Sequence, residues 1–362
     1  MLSRRSVDGG RTWGPIQVVH SESTPSNHVT IGNPSPVVLS THPGCIVLFF
    51  CRNNMKVGSM VSHDDGKTWG LPNYFLDVQS AAFRSLLSIP ANKNVSHIAS
   101  GPPTSLQLDS GRVLIPTAFC LDGRYAICSA HAPGDWFAAT LYSDDIDDIV
   151  NGNDATWHVS NKNEQGNECQ VSQTQNGSLL LNQRTGQGHR QLSWSSDGGA
   201  TWSKPEPYAL GGPEAGNCCC STVLVPSNAG HKHKQNIKST SLLQENHLLS
   251  ENEQQQNKEL ASPHKEGTLV FSGPDAKSRT HMTLYTSSDS GANWSKLIQV
   301  FVCICAFVHC HFITGCHFSD FIIMLHIFCA LSFLLPLCYS KQLVTILFLC
   351  CMCFVYCRFL LP

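Results

Sequence analysis

The stretch SSDGGATW, Ser195–Trp202, decides the fold. Its Ser195, Asp197, Gly199, Thr201 and Trp202 read S-x-D-x-G-x-T-W. The same spacing occurs at Ser6, Asp8, Gly10, Thr12 and Trp13, and again at Ser62, Asp64, Gly66, Thr68 and Trp69. A fourth copy at Ser287, Asp289, Gly291, Asn293 and Trp294 carries Asn in the Thr place. A fifth is broken: in LYSDDIDDIVNGNDATW, Ser143 and Asp145 open the pattern, and Thr156 and Trp157 close it after an insertion. The copies start 56, 81, 52 and 92 residues apart, a recurrence that points to a repeat architecture such as a propeller or solenoid.

One copy reads as a tight turn between antiparallel strands. The Asp accepts from backbone amides ahead of it, and the Gly supplies positive φ. The Thr opens the second strand and the Trp anchors the hairpin. A catalytic Ser–Asp pair would need a base at a fixed offset, and no histidine recurs at one. Five copies also do not make one active site. The residues Asp8, Asp64, Asp145, Asp197 and Asp289 are therefore expected to be structural.

The 362 residues suffice for one large all-β domain or two smaller ones. A net charge of −2 and a charged fraction of 14% exclude a basic nucleic-acid surface. Composition shifts sharply along the chain. Residues up to about 298 alternate short apolar runs with Gly, Asn, Asp and Pro, whereas ten of the 18 cysteines fall after Phe301 in an apolar tail. The opening MLSRRSVDGG has no apolar stretch of signal-peptide length, and the first repeat starts so soon after Met1 that the amino end reads as cut.

Strands are expected at 45–50, 57–61, 111–119, 124–130, 136–143, 177–184, 189–195, 267–273 and 281–287, with no sustained helical periodicity. Residues 1–226 and 267–298 are read as propeller blades. The segment 227–266, rich in Gln, Asn, Lys and His, is read as a polar insertion whose His231 and His233 are solvated and not metal ligands. The tail 299–362 contains apolar runs at Phe321–Tyr339 and Leu343–Tyr356, near and below the length of a membrane span. It reads either as a membrane segment or as sequence foreign to the fold, and an unclosed propeller would leave a blade edge unpaired. Asn94, Asn176 and Asn293 stand in N-x-S/T sequons.

The repeats resemble the Asp-boxes of the sialidases (neuraminidases), and RRSVDGGRTWGPIQVV is similar to the first box of that family. Three further segments carry the resemblance: NECQVSQTQNGSLLLNQR (Asn167–Arg184), LVFSGPDAKSRTHMTLYTSSDSGANW (Leu269–Trp294) and SGPPTSLQLDSGRVLIP (Ser100–Pro116). It implies an all-β, six-bladed β-propeller, truncated here, followed by the hydrophobic tail.

It also implies an exo-α-sialidase that releases terminal sialic acids from glycoproteins, gangliosides or oligosaccharides, with no metal or other cofactor. By position Glu168 matches the family's activating glutamate, and Arg184 and Arg279 match two of the three arginines that hold the substrate carboxylate. Guanidinium groups suit that task, being planar, permanently charged and bidentate toward carboxylates. The family's first arginine and acid/base aspartate belong upstream of the first box, and its nucleophilic tyrosine after the last. Tyr339 and Tyr356 stand in no matching context, and the family's additional pocket glutamate is unmatched around Asn94. His189 and Arg190, at a loop–strand junction, are expected to support the turn and not the substrate.

Two other readings stay open: a non-catalytic sialic-acid- or glycan-binding propeller, and a sortilin-like membrane receptor. The expected partners are sialylated glycoconjugates and no nucleic acid, with membrane association through the tail. Lysosomal, membrane and cytosolic locations all occur in the family.

Overall fold

The computed structural model describes residues 1–89, 93, 95–121, 136–226, 267–299 and 345–348. The expected strand at 124–130, His231 and His233, Asn94, Tyr339 and Tyr356, and nearly all of the tail lie outside these residues.

Among the described residues, five antiparallel sheets follow one another along the chain. The first is partial and contains β1 (Leu2–Ser6) and β2 (Gln17–Val18). The second runs β3 (Ile31–Val38), β4 (Ile46–Arg52), β5 (Lys56–Ser62), β6 (Asn73–Asp77) in spatial order. The third contains β7 (Val95–Ser100), β8 (Leu106–Gln107), β9 (Val113–Leu121), β10 (Trp136–Ser143), β11 (His158–Val159) and β12 (Asn163–Glu164). The fourth runs β13 (Cys169–Gln173), β14 (Leu179–Arg184), β15 (Arg190–Ser195), β16 (Glu206–Tyr208), and the fifth β17 (Ser221–Pro226), β18 (Gly267–Pro274), β19 (Met282–Ser287), β20 (Ser295–Gln299). The polar segment 227–266 thus joins two neighbouring strands of one blade. The last strand, β21 (Thr345–Phe348), comes from the tail and pairs with β1 from Ser3↔Phe348 to Ser6↔Thr345. One edge of β1 is thereby paired. Among the described residues no helix is long and apolar enough to cross a membrane.

The core lies between blades. Central strands are covered on both faces, so they read as unbroken apolar runs: Ile46–Cys51 and all nine residues of β9 are buried. One cluster joins the second and third blades through Val47, Phe49, Ile98, Ile115 and Phe119. Another joins the third and fourth through Leu114, Ala138, Val171 and Leu181, and a further one the fourth and fifth through Leu180, Leu192 and Leu269. Outer strands such as Glu206–Tyr208 and Ser295–Gln299 are mostly exposed. Two helices of six residues, α1 (Ala81–Leu86) and α2 (Ile146–Asn151), are too short to show a period in the sequence.

Each of the four intact Asp-boxes is a closed hydrogen-bond circuit at the turn between two antiparallel strands. Ser62 Oγ donates to Asp64 Oδ1 at 2.8 Å and accepts the Gly66 amide at 2.7 Å. Asp64 Oδ1 accepts the Thr68 amide at 2.8 Å, and Oδ2 accepts the Thr68 hydroxyl at 2.7 Å. The Thr is therefore a side-chain ligand of the Asp, beyond its value to the strand. Asn293 serves the same purpose with its amide nitrogen, 2.7 Å from Asp289 Oδ2, so this sequon nitrogen is already engaged. In the broken copy α2 fills the insertion, and Asp145 still accepts the Thr156 amide at 2.7 Å. The Thr68 amide above all holds the Asp64 carboxyl at about 2, and bonds from Thr12 hold Asp8 lower still. At Asp197 and Asp289 burial opposes the shift, but bonds from Thr201 and Asn293 outweigh it and lower both.

The boxes also link blades. Arg5 Nε donates to Asp65 O at 3.1 Å, Arg112 Nη1 to Gly198 O at 3.3 Å, and Trp194 Nε1 to Ser290 O at 3.2 Å. In each case a side chain of one blade meets a carbonyl of the next blade's box.

The segment Gly101–Ser105 links β7 to β8. Ser105 Oγ meets Ser35 Oγ of the second blade at 2.9 Å, and Thr104 Oγ1 accepts Gln170 Nε2 of the fourth at 2.7 Å. Pro102 O accepts the Cys219 thiol ahead of the fifth at 3.2 Å. One short segment thereby contacts residues of two other blades and the segment leading into a third.

Candidate functional site

In the fourth blade, Cys169 at the start of β13 lies opposite Gln183 near the end of β14, and Arg184 lies opposite Arg190 at the start of β15. These residues occupy one face, whereas the Asp-box after Ser195 occupies the other. The ladder continues one pair further: the Arg184 amide donates to Glu168 O at 3.0 Å and the Asn167 amide to Arg184 O at 2.8 Å. Two side chains held this way must meet. Arg184 Nη1 lies 2.6 Å from Glu168 Oε2, with the side chains 13% and 18% exposed, so solvent screens the pair only partly. Arg184 Nε is buried and has no hydrogen-bond partner.

Arg279 stands in the loop between β18 and β19, in the next blade. Its Nε donates to Glu214 Oε1 at 3.0 Å and its Nη2 to Asn217 O at 3.4 Å. Both acceptors belong to a 3₁₀ turn, Pro213–Asn217, that lies between the two arginine-bearing loops. On one side the amides of Thr185 and Gly186, directly after Arg184, donate to Gly216 O at 3.1 and 2.8 Å. On the other, the Glu214 amide donates to Ala276 O at 3.1 Å and the Gly212 amide to Pro274 O at 2.9 Å. A Cβ at Gly216 would collide with the His189 backbone, so only glycine permits this approach. Glu168 and Arg184 are thus in contact, and Arg279 stands across the turn from them.

Beneath the turn lies Arg190, fully buried. Its Nε donates to Asn182 Oδ1 at 2.7 Å, and its Nη1 to Ala215 O at 3.1 Å and Cys218 O at 2.9 Å. Arg190, expected to support its own loop–strand junction, instead holds the 3₁₀ turn 25 residues further on. Glu214 and Asn217 carried no sequence signal, since GGPEAGN has neither a period nor a motif. Only the fold brings them to Arg279.

The second blade holds a comparable pair. Arg52, the last residue of β4 as Arg184 is of β14, lies 2.5 Å from Glu22 Oε2. Here Tyr74 donates its hydroxyl to the other oxygen, Glu22 Oε1, and His20 Nε2 lies 2.9 Å from that oxygen. Burial pushes the Glu22 carboxyl up, but bonds from Tyr74, Arg52 and His20 outweigh it and hold it at about 2. Burial and the Glu22 bond raise the Tyr74 hydroxyl above its ordinary value, so it stays a neutral donor. Among the described residues no tyrosine hydroxyl is bonded to Glu168. Two open clefts, of about 600 and 430 Å³, are lined from Arg5, Trp13 and Lys67 and from His63, Trp69 and Leu71, on the Asp-box side and away from Glu168. Among the described residues no group of three His, Cys, Asp or Glu could hold a metal ion, and the seven cysteines there are free.

Comparison with known proteins gives this geometry a context. A family model described as BNR repeat-like domain matches residues 1–301. A sialidase of Bacteroides fragilis is 25% identical over 82% of this chain and 48% of its own length. Sialidase-3 of Mus musculus is 27% identical over 57% of this chain and 50% of its own. The chain spans about half the length of the curated relatives it matches. Among solved structures, a Hadza microbial sialidase superposes with a TM-score of 0.55 at 20% identity, covering 80% of this chain and 50% of that one. A Trypanosoma rangeli sialidase in complex with the inhibitor DANA gives 0.52 at 15% identity, covering 83% and 44%. At these identities the superpositions speak for the fold alone.

Proposed function

The chain belongs to the BNR-repeat sialidase family, and on that premise we propose that the face carrying Glu168, Arg184 and Arg279 recognises a terminal sialic acid. The observation that carries the reading is the 3₁₀ turn that sets the Arg184–Glu168 pair against Arg279, two guanidinium groups from neighbouring blades. Arg184 Nε, buried and without a partner, is a donor in need of an acceptor, and the sugar's carboxylate supplies one. Arg279, 45% exposed, is open to the same ligand.

The reaction follows from the role of Glu168. One of its oxygens takes Arg184, leaving the other for the proton of an attacking hydroxyl. Sialidases attack with a tyrosine, a neutral nucleophile that avoids the substrate's own negative charge. Glu168 then acts as the base for it, and the whole protein is an exo-α-sialidase acting on glycoproteins, gangliosides or oligosaccharides. A second reading, a sialic-acid-binding propeller without turnover, draws on the lack of a tyrosine bonded to Glu168 among the described residues.

Calorimetric titration of the full chain with a methyl α-sialoside tests the site. Binding is expected, and Arg279→Ala should weaken it about tenfold, the worth of one charge-assisted contact. A fluorogenic sialoside then separates the two readings: turnover supports the hydrolase, and binding without turnover supports the binder. No binding at all would overturn both.

A further inference from the structure

We propose that Arg190, which touches no ligand, is a positioning residue that sets the site's affinity for anions; this rests on the sialic-acid reading above. Two observations carry it. The first is mechanical. Arg190 donates to Ala215 O and Cys218 O, while Arg279 bonds to Glu214 and Asn217 of the same turn, so one buried guanidinium fixes the turn on which the second arginine leans. Arg190 also ties the turn to β14 through Asn182, two residues before Arg184. The distance between the two ligand-facing arginines therefore depends on it.

The second is electrostatic. Three guanidinium groups, Arg184, Arg190 and Arg279, share this region with two carboxylates, Glu168 and Glu214. Arg184 engages the first carboxylate and Arg279 the second. The acceptors of Arg190 are a side-chain amide and two backbone carbonyls, all neutral. Its charge is thus the one left over, fully buried where water screens it least. A buried charge is costly without a partner, and an arriving carboxylate is the partner that this arrangement lacks. Arg190 acts at one remove, by field and by scaffold.

The test compares two probes, a methyl α-sialoside and its uncharged carboxylate methyl ester, on the full chain and on Arg190→Met and Arg190→Lys. The wild type should prefer the carboxylate form. Arg190→Met, losing both fork and charge, should weaken binding of both probes, with the carboxylate losing about tenfold more than the ester, since complementary charge governs discrimination. Arg190→Lys, keeping the charge but not the fork, should retain the preference with weaker binding of both probes. Backbone amides at 215–218 should exchange faster in both variants. Equal loss for both probes in Arg190→Met would reduce Arg190 to a structural residue and overturn the proposal. If Arg190→Met does not fold, loss of the preference in folded Arg190→Lys overturns it. A wild type that binds neither probe sinks the sialic-acid reading itself, a different result from a wild type that binds while Arg190→Met discriminates as well as it does.

Discussion

Arg184 and Arg190 stand directly opposite each other on β14 and β15, and only Arg184 has a carboxylate to face. Like charges opposite one another weaken a sheet, and here the sheet tolerates them because Glu168 binds one and the carbonyls of a 3₁₀ turn bind the other.

Removing the negative charge beside Arg184 should separate binding from chemistry. Glu168→Gln keeps the side chain's shape and frees Arg184 from a competing carboxylate. Titration with a methyl α-sialoside is expected to show affinity equal to or greater than that of the wild type. Any turnover should fall at least about a hundredfold, the usual worth of a general base. Weakened binding with turnover intact would contradict the assignment.

Truncating the other partner is a stability experiment. Arg184→Ala leaves Glu168, 18% exposed, without its cation. Urea unfolding should report a loss of about 1–3 kcal/mol, the cost of stranding a partly buried charged group. The double variant Arg184→Ala/Glu168→Gln should recover part of that loss.

The Asp-box circuit makes a ranked prediction. Ser62 is 1% exposed and its hydroxyl accepts the buried Gly66 amide, so Ser62→Ala strands a donor away from water. Thr68, at the exposed end of the circuit, strands nothing buried. Ser62→Ala should cost about 1–3 kcal/mol and Thr68→Ala about 1 kcal/mol or less. Thermal melts of the two variants check the order.

Two glycines with positive φ should behave differently. Gly199 has φ +81°, and a Cβ there would strike Leu114 Cδ2 of the preceding blade. Gly152 has φ +72° with nothing within 4 Å. Gly152→Ala should cost about 1 kcal/mol from backbone strain alone, and Gly199→Ala about 2 kcal/mol or more because a packed interface must move. Equal costs would show that packing between these blades is loose.

Acid should act through the boxes. A carboxyl held below its ordinary value stabilises the fold above its unfolded-state pKa and loses that contribution as pH falls through the folded value. For Asp64 the window runs from 3.8 down to about 2, and Asp8, Asp145, Asp197 and Asp289 shift in the same direction. Tryptophan fluorescence should stay native down to about pH 4 and decline below it. Asp64→Asn should shallow the decline. A transition centred above pH 5 would point to other groups.

Much of this was readable from the residues. The box spacing placed the hairpins because every member of S-x-D-x-G-x-T-W bonds within the same few residues, and local chemistry leaves a local trace. The strand Trp136–Ser143 has the bounds that the sequence predicts, and β9 runs two residues beyond the expected 111–119, up to the Asp122-Gly123 pair that follows it in the sequence. The partners of Arg279 were not readable. Glu214 lies 65 residues away and meets it only because a turn crosses between blades. Nothing in HRQLSWS distinguishes Arg190 from a solvated arginine, since its burial is decided by Ala215 and Cys218 carbonyls that a sequence does not display.

The bonds from Arg5, Arg112 and Trp194 to the boxes of the following blades make adjacent units depend on each other. A peptide cut out as a single blade would expose an unanswered donor on one flank, an unanswered carbonyl on the other, and two apolar faces between them. Such a fragment should not fold by itself, whereas two pieces severed between blades should recombine when mixed, each supplying the flank that the other lacks. In this architecture the smallest autonomous unit is larger than the repeat that spells it.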